Sequence, residues 1–218
     1  MKAGELVRAT VKVFGAEEQT VKVAMREFRW RDMLTTGARG VNAPDLTPLD
    51  VARVVAAFTV YERPGQRGPE LLTALRHVEG NRIPEDDPPA FSLEALAGLE
   101  APYTFEDALA ALILVYAFHR DSEAYQSARR EMIDGTIREP ECVVEILQDS
   151  DVSARITLGG PREPIAIYDF QPIVPIRVAQ ERLKTAPARH SIHWIDQRAI
   201  IQIAEDFART SEPAEESA

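Results

Sequence analysis

Apolar positions at helical spacing dominate the first sixty residues of the chain. They predict a first helix over residues 3–14, which ends at Gly15. They predict a second helix over residues 17–31, whose buried face follows the i, i+3, i+4, i+7 spacing. That face consists of Val21, Ala24, Met25 and Phe28. The run Thr47-Pro48-Leu49-Asp50 is a capping box, and it predicts a third helix that reaches about Val60.

The segment between the second and third helices breaks this pattern. Residues 33–44 contain Gly37 and Gly40 with Arg39 between them, which predicts a tight β-hairpin or loop. Three short helices with a hairpin between the last two are typical of a winged helix-turn-helix domain. We therefore predict such a domain over residues 1–61.

The rest of the chain predicts a linker and a second, mixed part. Proline and glycine indicate that residues 62–90 form a linker with a short helix. We predict that residues 91–209 form a helical and β domain for oligomerisation or sensing. Alternating apolar residues over 142–170 predict a small antiparallel sheet. The last nine residues, 210–218, form an acidic tail that we expect to be disordered. The fold class is thus α+β, mainly helical.

Further helices are expected in this second part. A second capping box at Thr104-Phe105-Glu106-Asp107 opens an apolar helix over 108–119, and a final helix covers 191–209. These two helices are the candidate dimer surfaces. Shorter helices are predicted over 70–78, 92–99, 122–133 and 176–184.

Charge is distributed unevenly along the chain. The 218 residues carry a formal net charge of −10. Residues 1–69 hold 11 Lys and Arg against 8 Asp and Glu, whereas the remaining residues hold 14 against 27. A basic front joined to an acidic body indicates a nucleic-acid-facing part, although the whole chain is too acidic to coat nucleic acid nonspecifically.

The second helix carries the candidate DNA-binding residues. Gln19, Lys22, Arg26 and Arg29 follow one stripe beside its apolar face, so they are expected to face solvent and to contact phosphates or bases. Arg39 between its glycines suits close approach to a DNA backbone or minor groove. Trp30 is expected to pack under the hairpin rather than to lie exposed. The full predicted set is Gln19, Thr20, Lys22, Arg26, Arg29, Arg31, Thr35, Thr36 and Arg39.

The same residues carry a resemblance. The run Leu34-Thr35-Thr36-Gly37-Ala38-Arg39-Gly40, followed by Ala43-Pro44 and Leu46-Thr47-Pro48-Leu49-Asp50-Val51-Ala52, resembles an N-terminal helix-turn-helix module of phage and prophage proteins from proteobacteria. The resemblance covers about residues 4–60 and holds no catalytic motif. It implies contact with DNA by analogy alone, for a regulator or for a small-terminase-like packaging subunit.

Other clusters give no catalytic or metal site. His190 and His193 lack a glutamate in metalloprotease spacing, and are interpreted as the polar start of the last helix. Acidic runs around Glu85 and Glu145 are interpreted as solvated surface. The single Cys142 is expected to be buried, and it fits a reducing, cytoplasmic setting. We expect no cofactor, no enzymatic activity and no membrane partner, since the longest apolar stretch, 108–118, is too short to span a bilayer.

These observations predict a protein that binds double-stranded DNA, as a sequence-specific transcriptional regulator acting as a dimer or higher oligomer. Two alternatives stay open: a phage DNA-packaging subunit, and a protein–protein adaptor that uses the winged-helix fold without DNA. A protein partner for the acidic C-terminal part also stays open.

Overall fold

The computed structural model describes residues 1–37, 44–82, 89–131, 137–148, 151–160, 163–172, 191–195 and 197–211. The helices are α1 (Ala3–Phe14), α2 (Glu18–Trp30), α3 (Pro48–Val60), α4 (Gly68–Leu75), α5 (Leu93–Ala97), α6 (Phe105–Phe118), α7 (Glu123–Ala128) and α8 (Gln197–Ser211). The strands are β1 (Val78–Arg82), β2 (Tyr103–Thr104), β3 (Arg130–Glu131), β4 (Ile137–Arg138), β5 (Cys142–Gln148), β6 (Val152–Gly160), β7 (Glu163–Pro172) and β8 (Ser191–Ile195).

Local signals in the sequence account for the first three helices. Gly15 ends α1 with a φ of 64°, a left-handed conformation that glycine adopts without steric cost. The predicted capping box of α3 forms, because Thr47 Oγ1 accepts a hydrogen bond from the Asp50 N–H and the Asp50 carboxylate accepts one from the Thr47 N–H. The predicted boundaries of these helices are confirmed to within one residue.

The predicted hairpin between α2 and α3 is not confirmed. The described residues on its two sides, Met33–Gly37 and Pro44–Thr47, form no strand. Residues 38–43, which include Arg39, lie outside the described residues. The N-terminal helices therefore have the predicted order, while the wing and the winged helix-turn-helix assignment stay predictions.

Six strands form one open antiparallel sheet in the order β2-β1-β7-β6-β5-β8. The three strands that alternation predicts, β5, β6 and β7, are confirmed at its centre. Every second side chain on them is buried, among them Ile146, Ile156 and Phe170, so that one face of the sheet packs on the helices. On the other face Glu145, Arg155 and Asp169 lie side by side in register.

Three predictions for the second part of the chain are wrong in detail. Residues 191–195 form the edge strand β8 instead of the first turn of the last helix, because they pair with β5 in the tertiary structure. The helix predicted to end at residue 133 ends at Ala128, since Arg130–Glu131 pairs with β4. The end of the helix predicted over 70–78 enters β1, which pairs with β7. The predicted helix 176–184 and the tail beyond residue 211 lie outside the described residues.

The apolar helix α6 lies at the centre of the protein. Ten of its fourteen residues are buried, and it packs against α3, α5 and α8. It is therefore covered within one chain, and the prediction that it forms a dimer surface is wrong. Buried side chains from α1 through α8 belong to one hydrophobic cluster. Within the described ranges, no helix combines the length and apolar character that a membrane span requires.

Candidate nucleic-acid interface

Helix α2 turns its apolar face inward and most of its polar stripe outward. Val21, Ala24, Met25 and Phe28 are buried, as the spacing predicts. Gln19, Lys22 and Arg26 are exposed, Arg29 is half-buried, and Thr20 lies partly buried on the flank of the helix. The structure thus places Gln19, Lys22, Arg26 and Arg29 on one side of a helix that packing holds in place, and Thr20 on the other flank of that helix.

Acidic neighbours offset part of this positive charge. Lys22 forms an ion pair with Glu18 one turn earlier, and Arg26 Nη2 lies 3.9 Å from Glu27 Oε1. The hydrogen bond from Lys22, together with its charge, lowers the pKa of the Glu18 carboxyl below its usual value. These pairs are exposed, so a phosphate can replace the carboxylate at small cost.

A turn between α3 and α4 adds two arginines that the sequence analysis missed. Arg63 and Arg67 are exposed, and with Gln19 and Thr20 they line a groove of about 420 Å³ beside α2. The groove exists because the turn packs closely on α2: a Cβ added to Gly68 would lie 2.7 Å from Phe28 Cε1. The arginines around two glycines in this segment were the available signal, and they were interpreted as a linker.

Trp30 lies at the end of α2 and is 84% exposed. The prediction that it packs under the hairpin is wrong, because its helical position places it on the side opposite Phe28 and in line with Arg26, one turn earlier. Its exposed ring, between Arg29 and Arg31 in the sequence, can stack on a base or fill a pocket of a partner protein.

The chain after α2 is held by a buried ion cluster. Arg53 Nε lies 2.7 Å from Glu106 Oε2, and Arg53 Nη1 donates a hydrogen bond to the carbonyl of Met33. Arg76 Nε lies 3.7 Å from the same Glu106 oxygen, and Arg76 Nη2 donates to the carbonyl of Asp32. Burial raises the pKa of the Glu106 carboxyl, although Arg53 and Arg76 act in the opposite direction. This cluster fixes the end of α2 against α3 and α6.

The remaining predicted residues follow this anchored end. Arg31 and Thr36 are exposed, and the Thr35 N–H donates a 2.8 Å hydrogen bond to Asp50 Oδ1 at the start of α3. The Thr35 backbone is thus tied to α3, and Arg31 and Thr36 are exposed in the same segment after α2. Arg39 lies outside the described residues.

Other polar clusters serve the fold. Tyr103 and Tyr168 donate hydrogen bonds of 3.0 and 2.8 Å to the two oxygens of Glu94, and burial raises the pKa of both phenols. His193 lies on strand β8, so its interpretation as part of a helix start is wrong, and His190 lies outside the described residues. Cys142 is buried, as predicted. Across the part of the chain that the structure describes, no three His, Cys, Asp or Glu side chains form a group suited to hold a metal ion.

Comparison with known proteins adds no assignment: no protein-family model, no curated protein and no solved structure matches this chain. The resemblance to a phage helix-turn-helix module therefore stays a prediction.

Proposed function

We propose that this protein binds double-stranded DNA through the exposed surface of α2 and acts as a sequence-specific transcriptional regulator. The observation that carries the proposal is the stripe of cations on α2, namely Lys22, Arg26 and Arg29. Arg63 and Arg67 add two exposed cations beside Gln19 and Thr20 at the start of the same helix. Arginine binds phosphates and reads guanine in the major groove.

The charge distribution of the chain fits selective binding. The overall charge of −10 suppresses nonspecific attraction to DNA, so that only a surface with locally concentrated cations gains from contact. The buried ion cluster of Arg53 and Glu106 holds the end of α2 in a fixed position, and direct readout of bases requires such a fixed geometry.

The test is the salt dependence of binding by the double variant Arg26→Ala plus Arg29→Ala. The slope of log affinity against log salt is negative, and each lost phosphate contact reduces its magnitude by about 0.9. Loss of both arginines should therefore reduce the magnitude by about 1.8. Arg138→Ala plus Arg209→Ala is the matched control, since it removes two arginines from β4 and α8. Selected genomic fragments are titrated by fluorescence anisotropy. Equal slopes for the two double variants contradict the assignment of α2.

Trp30 favours a second candidate function, a protein–protein adaptor. An exposed tryptophan among arginines has the composition of a hot spot in protein interfaces, and Glu18 and Glu27 reduce the positive charge beside it. Genome-wide enrichment with the tagged protein separates the candidates: sharp peaks support the regulator, and a flat profile supports the adaptor. A ring-like oligomer with weak sequence preference supports instead a packaging subunit.

A further inference from the structure

Strand β8 forms one edge of the six-stranded sheet. It pairs with β5 in continuous antiparallel register, from Val144 opposite Ile195 to Gln148 opposite Ser191. Among the strands of the described ranges, none pairs with the outer side of β8. The other edge strand, β2, is only two residues long. An edge strand of five residues that has no strand partner on its outer side within the described ranges presents backbone N–H and C=O groups that another strand can bind.

The sequence of β8 lacks the features that keep edge strands from associating. Ser191-Ile192-His193-Trp194-Ile195 contains no lysine, no carboxylate and no proline. Its two large apolar side chains on the outer face are exposed, Ile192 to 50% and Trp194 to 60%. Ile192 lies opposite Leu147, and Trp194 lies opposite Glu145. Trp194 also lines a groove of about 580 Å³ that contains Val143 and Ile167 together with Glu145 and Arg155.

We propose that β8 pairs antiparallel with β8 of a second copy of this chain, about a twofold axis at His193. This register places Ile192 opposite the partner subunit's Trp194 on the outer face and His193 opposite the partner subunit's His193. Twofold symmetry makes the outer face of the strand complementary to itself: the apolar Ile192 and Trp194 meet each other, and no formal charge meets a like charge. The sheet becomes continuous through both copies. The pairing does not depend on DNA binding.

The absence of lysine, arginine and carboxylate side chains on β8 favours a second copy of this strand over a highly charged partner. An uncharged edge offers no electrostatic attraction to an acidic or basic strand. Two copies each carrying −10 repel one another at low salt, and salt screens this repulsion. The dimer should therefore strengthen when salt rises from about 0.05 to about 0.5 M, whereas binding to DNA weakens over that range.

Disulfide cross-linking tests the register. In the proposed dimer the two Cβ atoms at residue 193 lie about 5 Å apart, within reach of a disulfide, whereas those at residue 191 lie about 14 Å apart. Under mild oxidation, His193→Cys should give a covalent dimer, and Ser191→Cys should not. Wild-type protein is the background, because its single Cys142 is buried. Equal cross-linking by both variants, or by neither, overturns the proposal.

Sedimentation measures the same interface without a new cysteine. Ile192→Lys places like charges at the interface and should dissociate the dimer. Ile137→Lys, at an isoleucine of similar exposure, 58%, on β4, should leave the dimer intact. Circular dichroism establishes that both variants fold. A monomeric wild-type protein, or equal dissociation by both variants, overturns the proposal, and neither outcome bears on whether α2 binds DNA.

Discussion

Asp50 joins two parts of the structure, and its replacement by alanine provides a quantitative test of the anchoring of the candidate interface. Its side chain is 1% exposed. One oxygen, Oδ2, accepts hydrogen bonds from the N–H and the hydroxyl of Thr47 in the capping box of α3. The other, Oδ1, accepts the Thr35 N–H, fifteen residues earlier in the chain. Asp50→Ala therefore removes a helix cap and a long-range tie together.

The chain contains its own reference for the cap. Asp107 makes the same capping box at the start of α6, with Thr104 N–H and hydroxyl at 3.1 and 2.7 Å, and none of its described hydrogen bonds corresponds to the tie to Thr35. Loss of a cap costs about 1 kcal/mol, and loss of a hydrogen bond to a charged group costs about 2 kcal/mol. We therefore expect Asp107→Ala to lower the free energy of unfolding by about 1 kcal/mol and Asp50→Ala by about 3 kcal/mol.

Urea denaturation gives the two free energies of unfolding, provided that the m-values stay equal. Hydrogen exchange gives the local effect: a tie of about 2 kcal/mol corresponds to about 30-fold faster exchange of the Thr35 amide in Asp50→Ala. Asp107→Ala should leave that amide protected. Equal losses of stability in the two variants, or an unchanged Thr35 amide, would show that Asp50 acts as a cap alone.

Two further predictions concern burial and close packing. Burial raises the pKa of the Glu106 carboxyl, so this carboxyl binds its proton more tightly in the folded protein than in the unfolded chain. The resulting stabilisation of the fold is complete at pH values below the usual pKa of 4.5, and it is lost as pH rises through the raised pKa. The free energy of unfolding of Glu106→Gln, measured in urea from about pH 4 to pH 8, should therefore rise relative to wild type as pH increases; a constant difference contradicts the direction of the shift. Gly80→Ala should cost at least about 3 kcal/mol, because the new Cβ would lie 1.8 Å from the Asp169 carbonyl oxygen and would force β1 away from β7. Gly4→Ala in α1, where the nearest atom to the new Cβ is 3.9 Å away, is its control and should change stability by less than about 1 kcal/mol; similar losses in both variants would contradict the close approach.

Local chemistry made part of the fold predictable. The capping boxes at Thr47 and Thr104 each require only four consecutive residues, so the sequence analysis located the N-caps of α3 and α6 correctly. Helix α6 itself begins at Phe105, three residues before the predicted residue 108. Alternation within β5 likewise needs no distant partner to be recognised. Strands β1 and β8 differ, because their conformation depends on pairing with β7 and β5. Ser191 followed by an apolar residue is typical of a helix start, and tertiary pairing overrides that local preference.

The candidate site shows the same division. The exposed stripe of α2 follows from helical periodicity, which fixes where Lys22 and Arg26 lie relative to Phe28. The position of Arg63 and Arg67 beside α2 does not follow from helical periodicity, because it depends on how the turn after α3 packs on α2. The exposure of Trp30 was predictable from its helical position, but large aromatic residues are usually buried, and that general tendency led to the wrong interpretation.

The proposed β8 dimer and the proposed DNA-binding surface of α2 together predict an effect that neither predicts alone. A dimer through β8 carries two α2 surfaces, so its binding to a site with two half-sites depends on protein concentration more steeply than first order. Ile192→Lys should remove this steepness and leave the α2 surface itself unchanged, so that the salt slope for a single half-site stays at the wild-type value. Arg26→Ala plus Arg29→Ala should do the reverse. If both variants changed the steepness and the slope in parallel, a general loss of folding would explain the results, and the assignment of separate roles to β8 and α2 would fail.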